Sequence, residues 1–187
     1  MVRSIVLALA ILGPDWARAD LRLQPEVTEF NMDGVRLKHL VFSDGSRQVT
    51  YSPPRGWEYT GSEDCLTLHS PAGTSGEAVI RKLKLAGPGT FDEVATARLC
   101  EQVVASLPSN ATHATILYQE KNPLLIERKE TFLVVINFNC AGVPYSRSVM
   151  FLNRGAEQMQ FQLTSPSWSF PPLQKQFLAS HFTWENL

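Results

Sequence analysis

The sequence is short of cysteine, of net charge and of long apolar runs, and each shortage excludes something. Cys65, Cys100 and Cys140 are the only cysteines in 187 residues. Three are too few for a disulfide framework, and a chain of this length builds a core without staples. Its 17 Lys+Arg stand against 18 Asp+Glu. A balance so near neutral gives no broad electrostatic handle on nucleic acid or on an anionic membrane. Beyond the first 12 residues there is no second long apolar run, so no membrane span is expected. Catalytic signatures are missing too. Gly73-Thr74-Ser75-Gly76 lacks the spacing of a nucleophile elbow and stands in a loop before a strand. The four histidines, His39, His69, His113 and His181, are scattered, with no pair at the helical spacing of zinc ligands. Glu63-Asp64 falls in a turn, and neighbours on a strand face opposite ways, so no paired-acid site is expected. Gly87-Pro88-Gly89 precedes a helix start, where an anion could sit, but Asp92 and Glu93 already answer the helix dipole there. The expectation is therefore no catalytic, cofactor-binding or metal-ligating residue.

What is present begins at the N-terminus. Arg3 supplies a positive charge, Ile5 to Leu12 are apolar, Gly13-Pro14 break the run, and Ala17-Arg18-Ala19 precede Asp20. That is the order of a secretory signal peptide. As a helix the apolar run reaches about 12 Å, against a hydrocarbon core of about 30 Å. Cleavage is expected after Ala19, leaving one secreted or periplasmic domain over residues 20–187. The residue after the cleavage site is Asp20 and not a lipobox cysteine, which argues against a bacterial lipid anchor. In a eukaryotic host Asn110-Ala111-Thr112 would be a glycosylation acceptor.

Period-two alternation then dominates. Val35 to Phe42 alternates between turns at Asn31–Gly34 and Ser43–Ser46, and Gln48 to Tyr51 reads as its partner strand. Pro53-Pro54 ends pairing, because proline has no N–H to donate. Leu66 and Leu68 alternate with Cys65, Thr67 and His69. Glu77 to Leu85 reads as a strand with Val79, Leu83 and Leu85 on one face and Lys82 and Lys84 on the other, and the local basic cluster Arg81, Lys82 and Lys84 is either a solvated strand face or an anion-contact patch. Thr90 and Glu93 have capping-box spacing, and Leu99, Cys100, Val103, Val104 and Leu107 give a helical stripe that Pro108 ends. Phe132 to Phe138 is apolar on both faces and reads as a central strand. Tyr145 to Leu152 returns, and Met159, Phe161 and Leu163 alternate with Gln158, Gln160 and Gln162 as a half-exposed strand. Pro171-Pro172 suits a helix start, with Leu173, Phe177 and His181 on one face and Leu178 and Phe182 beside it. Consecutive strands with helices between groups predict an antiparallel α+β fold, not alternating βαβ.

The order Tyr51-x-Pro53-Pro54-x-Gly56-Trp57, the capped helix, the Phe132–Phe138 strand, the two-hairpin meander and a closing Phe177-x-x-Ser180-x-Phe182 helix together resemble the Mog1/PsbP-like family. The resemblance spans roughly Val49 to Trp184, and this chain adds an N-terminal hairpin at Val27 to Phe42. The family holds an extrinsic subunit of photosystem II, a small-GTPase-binding nuclear factor and many secreted bacterial proteins. The resemblance implies an antiparallel sheet flanked by helices, as a sandwich. It also implies a binding or assembly role on an envelope protein, with no cofactor and no reaction of its own. No calcium, manganese or GTPase motif carries over.

Two sets of residues stay open. Cys100 and Cys140 fall on core-facing positions and either bridge helix to sheet or act as separate buried thiols. Carboxylates beside Cys65 argue against a reactive thiolate there. Trp57, Tyr59, Trp168 and Trp184 lie in or beside loops and ends, and either anchor the core or form an exposed partner surface. Cys65, His69, Glu63 and Asp64 are expected to tolerate replacement. The competing functional expectation is a small secreted hydrolase with a pocket built from loops.

Overall fold

Alternating apolar residues make strands that bury one face, and here they bury it against each other. The computed structural model describes residues 21–32, 35–45 and 47–186, with backbone alone at 30–32 and 35–38. The expected leader, residues 1–19, lies outside these residues.

Four strands make a small sheet: β1 (Glu26–Met32), β2 (Val35–Asp44), β3 (Arg47–Tyr51) and the two-residue β11 (Glu185–Asn186), in the order β1-β2-β3-β11. Seven make a large sheet: β4 (Glu58–Gly61), β5 (Cys65–His69), β6 (Glu77–Lys84), β7 (Ala111–Lys121), β8 (Thr131–Cys140), β9 (Val143–Arg154) and β10 (Glu157–Pro166). Their spatial order is β4-β5-β6-β10-β9-β8-β7. Every pairing is antiparallel. Helix α1 (Glu93–Ala105) joins β6 to β7, and α2 (Phe170–Ser180) follows β10. The antiparallel α+β sandwich expected from the sequence is the fold observed, with its strands divided between two sheets.

The main core lies between the sheets. Leu40, Phe42, Val49 and Tyr51 of the small sheet meet Leu66, Leu68, Ile80, Leu133, Val135, Leu152, Met159, Phe161 and Leu163 of the large one, closed by Phe170, Leu173 and Phe177 of α2. Each such side chain contributes about 1.5–3 kcal/mol by leaving water. A second core forms on the other face of the large sheet, where Leu99, Cys100 and Val103 of α1 pack with Phe91 on Phe132, Val134, Ile136, Val149 and Phe151. Strand β8 therefore feeds alternate residues to two cores, which is why its sequence is apolar throughout. On β4, a side chain at Gly61 would stand 2.2 Å from Pro25 Cδ and 2.7 Å from the Leu23 carbonyl, so the lead-in segment packs where only glycine fits.

Several expectations are corrected. The phase of β6 is reversed: Ala78, Ile80 and Lys82 face the main core, while Val79 and Leu83 are half-buried on the other side. Lys82 is buried, not solvated, because its ammonium donates to the Leu21 carbonyl at 2.7 Å and lies 3.3 Å from the Asp64 carboxylate. Asp64 thus has a buried partner, which removes it from the tolerant positions. Gln158, Gln160 and Gln162 are buried rather than half-exposed. Gln160 Nε2 donates to Gln158 Oε1, whose own Nε2 donates to Asn153 Oδ1, and Gln162 Oε1 accepts from Arg81. At α1 the cap is Asp92, not Thr90: Asp92 Oδ1 accepts from the Ala95 N–H at 2.8 Å, and the Thr90 hydroxyl supports Asp92 Oδ2. Val104, assigned to the stripe of that helix, is exposed.

An ionic clasp joins the two sheets. Arg154, at the end of β9, donates to Asp44 of β2 at 2.6 Å and to Glu127 of the β7–β8 loop at 3.3 Å, and Lys129 meets the same Glu127 oxygen at 2.8 Å. Burial disfavours the Glu127 carboxylate, but Lys129 and Arg154 outweigh it and hold its pKa below the usual range. Glu127 and Arg128 both sit at positive φ, +52° and +59°, in the tight turn closed by the Ile126–Lys129 bridge. Neither residue favours that conformation.

Candidate binding surface

Helix α2 owes its position to two stripes. Pro171 and Pro172 occupy the first turn, where a missing N–H costs nothing. Phe170, Leu173, Phe177 and Ser180 form the buried stripe. Pro171, Gln174, Lys175, Leu178, Ala179 and Phe182 form another, along a groove of about 450 Å³ whose far wall is Tyr118, Pro123 and Leu124. Gln174 Nε2 spans the groove to donate to the Tyr118 hydroxyl at 3.0 Å. After Ser180 the chain tightens into a 3-10 turn over His181–Thr183. That turn sends His181 inward and leaves Phe182 69% exposed. Tyr118 is also exposed, so the groove carries an aromatic ring on each wall. β7 is an end strand of its sheet, and register shifts beside Thr112 and Ile116 break the regularity of that edge.

On the other flank of α2, Ser52, Pro53, Pro54 and Arg55 face Gln176, Ala179, Ser180 and Thr183 across a cleft of about 440 Å³. The Ser52 hydroxyl lies 3.2 Å from His39 Nδ1, a serine–histidine contact. The Ser52 N–H is already engaged by Thr183 Oγ1 at 2.8 Å, so it is not available to stabilise an oxyanion. Beneath the cleft Tyr51 bonds its hydroxyl to Ser180 Oγ at 2.9 Å, and burial pushes the phenol pKa up. These contacts anchor α2 to the small sheet.

The aromatic candidates separate. Trp57 is buried and stacks on Phe177 at 6.3 Å, with its Nε1 donating to Gln176. Trp184 is buried against Phe42, Tyr51 and Phe161. Tyr59 is half-buried against the main core. Only Trp168 of the four is exposed, so they do not make a common partner surface; three were drawn inward because their rings complete the inter-sheet core. The cysteines are not bridged. Cys100 is buried and donates to Gln119 Oε1 at 2.9 Å, and burial raises its pKa. Cys140, at the far end of β8, donates to Asn110 Oδ1 at 3.4 Å. His69 pairs with Glu77 on the surface at 3.9 Å, His113 sits in a bulge of β7, and His181 is buried. The α1 N-terminus is satisfied by Asp92, whose carboxyl is held below its usual range by the Ala95 amide and the Thr90 hydroxyl. Among the described residues no group of three or more His, Cys, Asp or Glu is placed to hold a metal, and no helix is long and apolar enough to cross a membrane. Sequence reading missed the α2–β7 groove. Its one signal was Leu178 and Phe182 standing beside, not on, the main apolar stripe.

No known family profile matches the chain, and no curated protein matches it in sequence. Solved structures do. A Pseudomonas aeruginosa protein of unknown function, described as a putative regulator, aligns at TM-score 0.47 and 15% identity over 82% of this chain and 94% of its own. A Bacteroides thetaiotaomicron protein aligns at 0.43 and 15%, over 71% of this chain and 43% of its own. The solution structure of a cyanobacterial PsbP (CyanoP) from Synechocystis aligns at 0.51 and 8% identity, covering 92% of this chain and 95% of that one. At such identity the likeness is one of architecture, and it establishes that this chain has a PsbP-like fold.

Proposed function

We propose that this chain is a non-catalytic binding and assembly module, exported from the cytoplasm, that docks a protein partner in the groove between α2 and β7. The observation that carries this reading is that two aromatic side chains lining that groove, Tyr118 and Phe182, stay exposed while Trp57, Phe170 and Phe177 beside α2 are packed away. Apolar side chains clustered beside a concave floor favour association over solvation. The PsbP-like fold supports a role in assembly by analogy only. A photo-crosslinking residue placed at Phe182, and in a control at exposed Arg98 on α1, tests it in the native envelope fraction. One discrete adduct from position 182 and none from 98 is expected. Equal labelling from both positions, or none from either, refutes it. Sequencing the N-terminus of the exported protein tests the cleavage after Ala19.

The Ser52–His39 contact beside a cleft favours a second reading, a small hydrolase. Turnover of nitrophenyl esters that disappears in Ser52→Ala would establish it in place of the first.

A further inference from the structure

The large sheet carries a polar-to-apolar gradient on the face that α1 covers. Three rows of cross-strand neighbours run from β5 to β8: Cys65–Arg81–Gln160–Phe151–Phe132, Thr67–Val79–Gln162–Val149–Val134 and His69–Glu77–Thr164–Arg147–Ile136. Helix α1 packs on the apolar end. The polar end holds two arginines, bonded to Gln162 and Thr164, which follow one another on that face of β10. Arg81 donates through Nη2 to Gln162 Oε1 at 3.0 Å, and its Nε is buried with no hydrogen-bond partner. Arg147 is buried, donates through Nε to Thr164 Oγ1 at 2.9 Å, and lies over the Phe138 ring at 5.6 Å. The two cations are close enough that Arg81 adds to burial in lowering the Arg147 pKa, with Glu77 opposing. Neither arginine forms an ion pair among the described residues, and the Glu77 carboxylate is turned to His69.

We propose that this polar end is a binding site for an oxyanion, the carboxylate, sulfate or phosphate of a ligand, held between Arg81 and Arg147 over Gln162. Two partly buried guanidinium groups without a carboxylate are costly, and an anion between them offsets both their repulsion and their lost hydration. The planar fork of Arg81 matches an oxyanion, and Arg147, whose Nε and Nη1 are taken by Thr164 and Ser106, adds its Nη2. Gln162 contributes by accepting from Arg81 Nη2 through Oε1, which holds that guanidinium over β10. Arg147 has structural work as well: its Nη1 donates to the Ser106 carbonyl and hydroxyl at 3.1 and 3.2 Å and so closes the C-terminal end of α1. Arg81 has no such duty, and it is the residue to test. The site lies on the opposite face of the large sheet from the α2 groove, so either can fail alone.

Titration of the 15N-labelled full domain with sodium sulfate, phosphate and acetate, against chloride at equal ionic strength, decides the matter. Saturable shifts of the Arg81 Nε–H and the Gln162 side-chain amide are expected, and the anion that saturates earliest names the group. Arg81→Met should weaken that binding at least tenfold, whereas Lys84→Met, on the exposed end of the same strand, should not. Should Arg81→Met fail to fold, Arg81→Lys keeps the charge, loses the fork and should bind several-fold more weakly. Shifts that do not saturate, shifts confined to other residues, or equal affinity in the Arg81 variants overturn the proposal.

Discussion

Acid should destabilise this fold through His181 in a way that one substitution removes. The imidazole is 1% exposed and stands edge-on to Phe161 and Phe177, each at 4.6 Å between ring centroids. Burial lowers its pKa to about 3; the Leu178 carbonyl favours the cation but does not offset burial, and neither ring nitrogen makes a well-aligned hydrogen bond. In the unfolded chain the same ring takes up a proton near pH 6.5. The folded state therefore binds fewer protons between those values. Stability from this residue is full above about pH 6.5 and falls as pH drops through the window toward 3. Each pH unit inside the window costs about 1.4 kcal/mol. Acidification from pH 7 to pH 4 thus removes about 3 kcal/mol, a large share of a typical total of about 5–15 kcal/mol. Urea unfolding followed by the fluorescence of the buried Trp57 and Trp184, for the native protein and His181→Leu at both pH values, measures it. Asp92 and Glu127, with lowered pKa values, add their own acid loss to both proteins and cancel. The native protein should lose about 3 kcal/mol more than the variant over this range. At pH 7 the variant should be nearly as stable as the native protein, since it exchanges two unpaired buried nitrogens for methyl groups. Parallel losses would show that the ring is hydrated or paired in the native state and would refute the reasoning.

The ionic clasp gives a second expectation: Arg154→Met strands Asp44, whose side chain is 5% exposed, leaves Glu127 to Lys129 alone, and should cost about 3–5 kcal/mol in urea unfolding. A loss below about 1 kcal/mol would mean that water reaches the clasp. Arg128→Gly relieves a φ of +59° and should raise stability by about 1 kcal/mol, read as a shift of the urea midpoint. Lys82→Met should keep the fold, because the stem already lies in the main core, whereas Lys82→Glu should raise far-ultraviolet evidence of unfolding at the same temperature. Thiol titration in denaturant without reductant should find all three cysteines free, and two missing thiols would restore the Cys100–Cys140 bridge.

Local chemistry made much of this protein legible before any coordinates. The two-sided apolar run at Phe132–Phe138 needed a central strand between two cores, because only such a position hides both faces. Pro171-Pro172 marked a helix start because proline is harmless where the N–H has no intrahelical partner. Alternation, turns and the capped helix together sufficed for an antiparallel α+β fold, and the sandwich came with the Mog1/PsbP-like resemblance. Tertiary structure alone decided which face of a strand meets what. Period two says that neighbours point oppositely, not which set points inward. Lys82, Gln158, Gln160 and Gln162 therefore read as solvated, until partners on other segments met them: the Leu21 carbonyl and Asp64 for Lys82, Arg81 for Gln162 and Asn153 of the neighbouring strand for Gln158. The same holds for Trp57, buried by a ring of α2, for Trp184, buried by rings of both sheets, and for the α2 groove, which exists only because β7 and the β7–β8 loop stand across from the helix. Intrinsic preference is carried by each residue, whereas burial and pairing belong to positions that only long-range packing brings together.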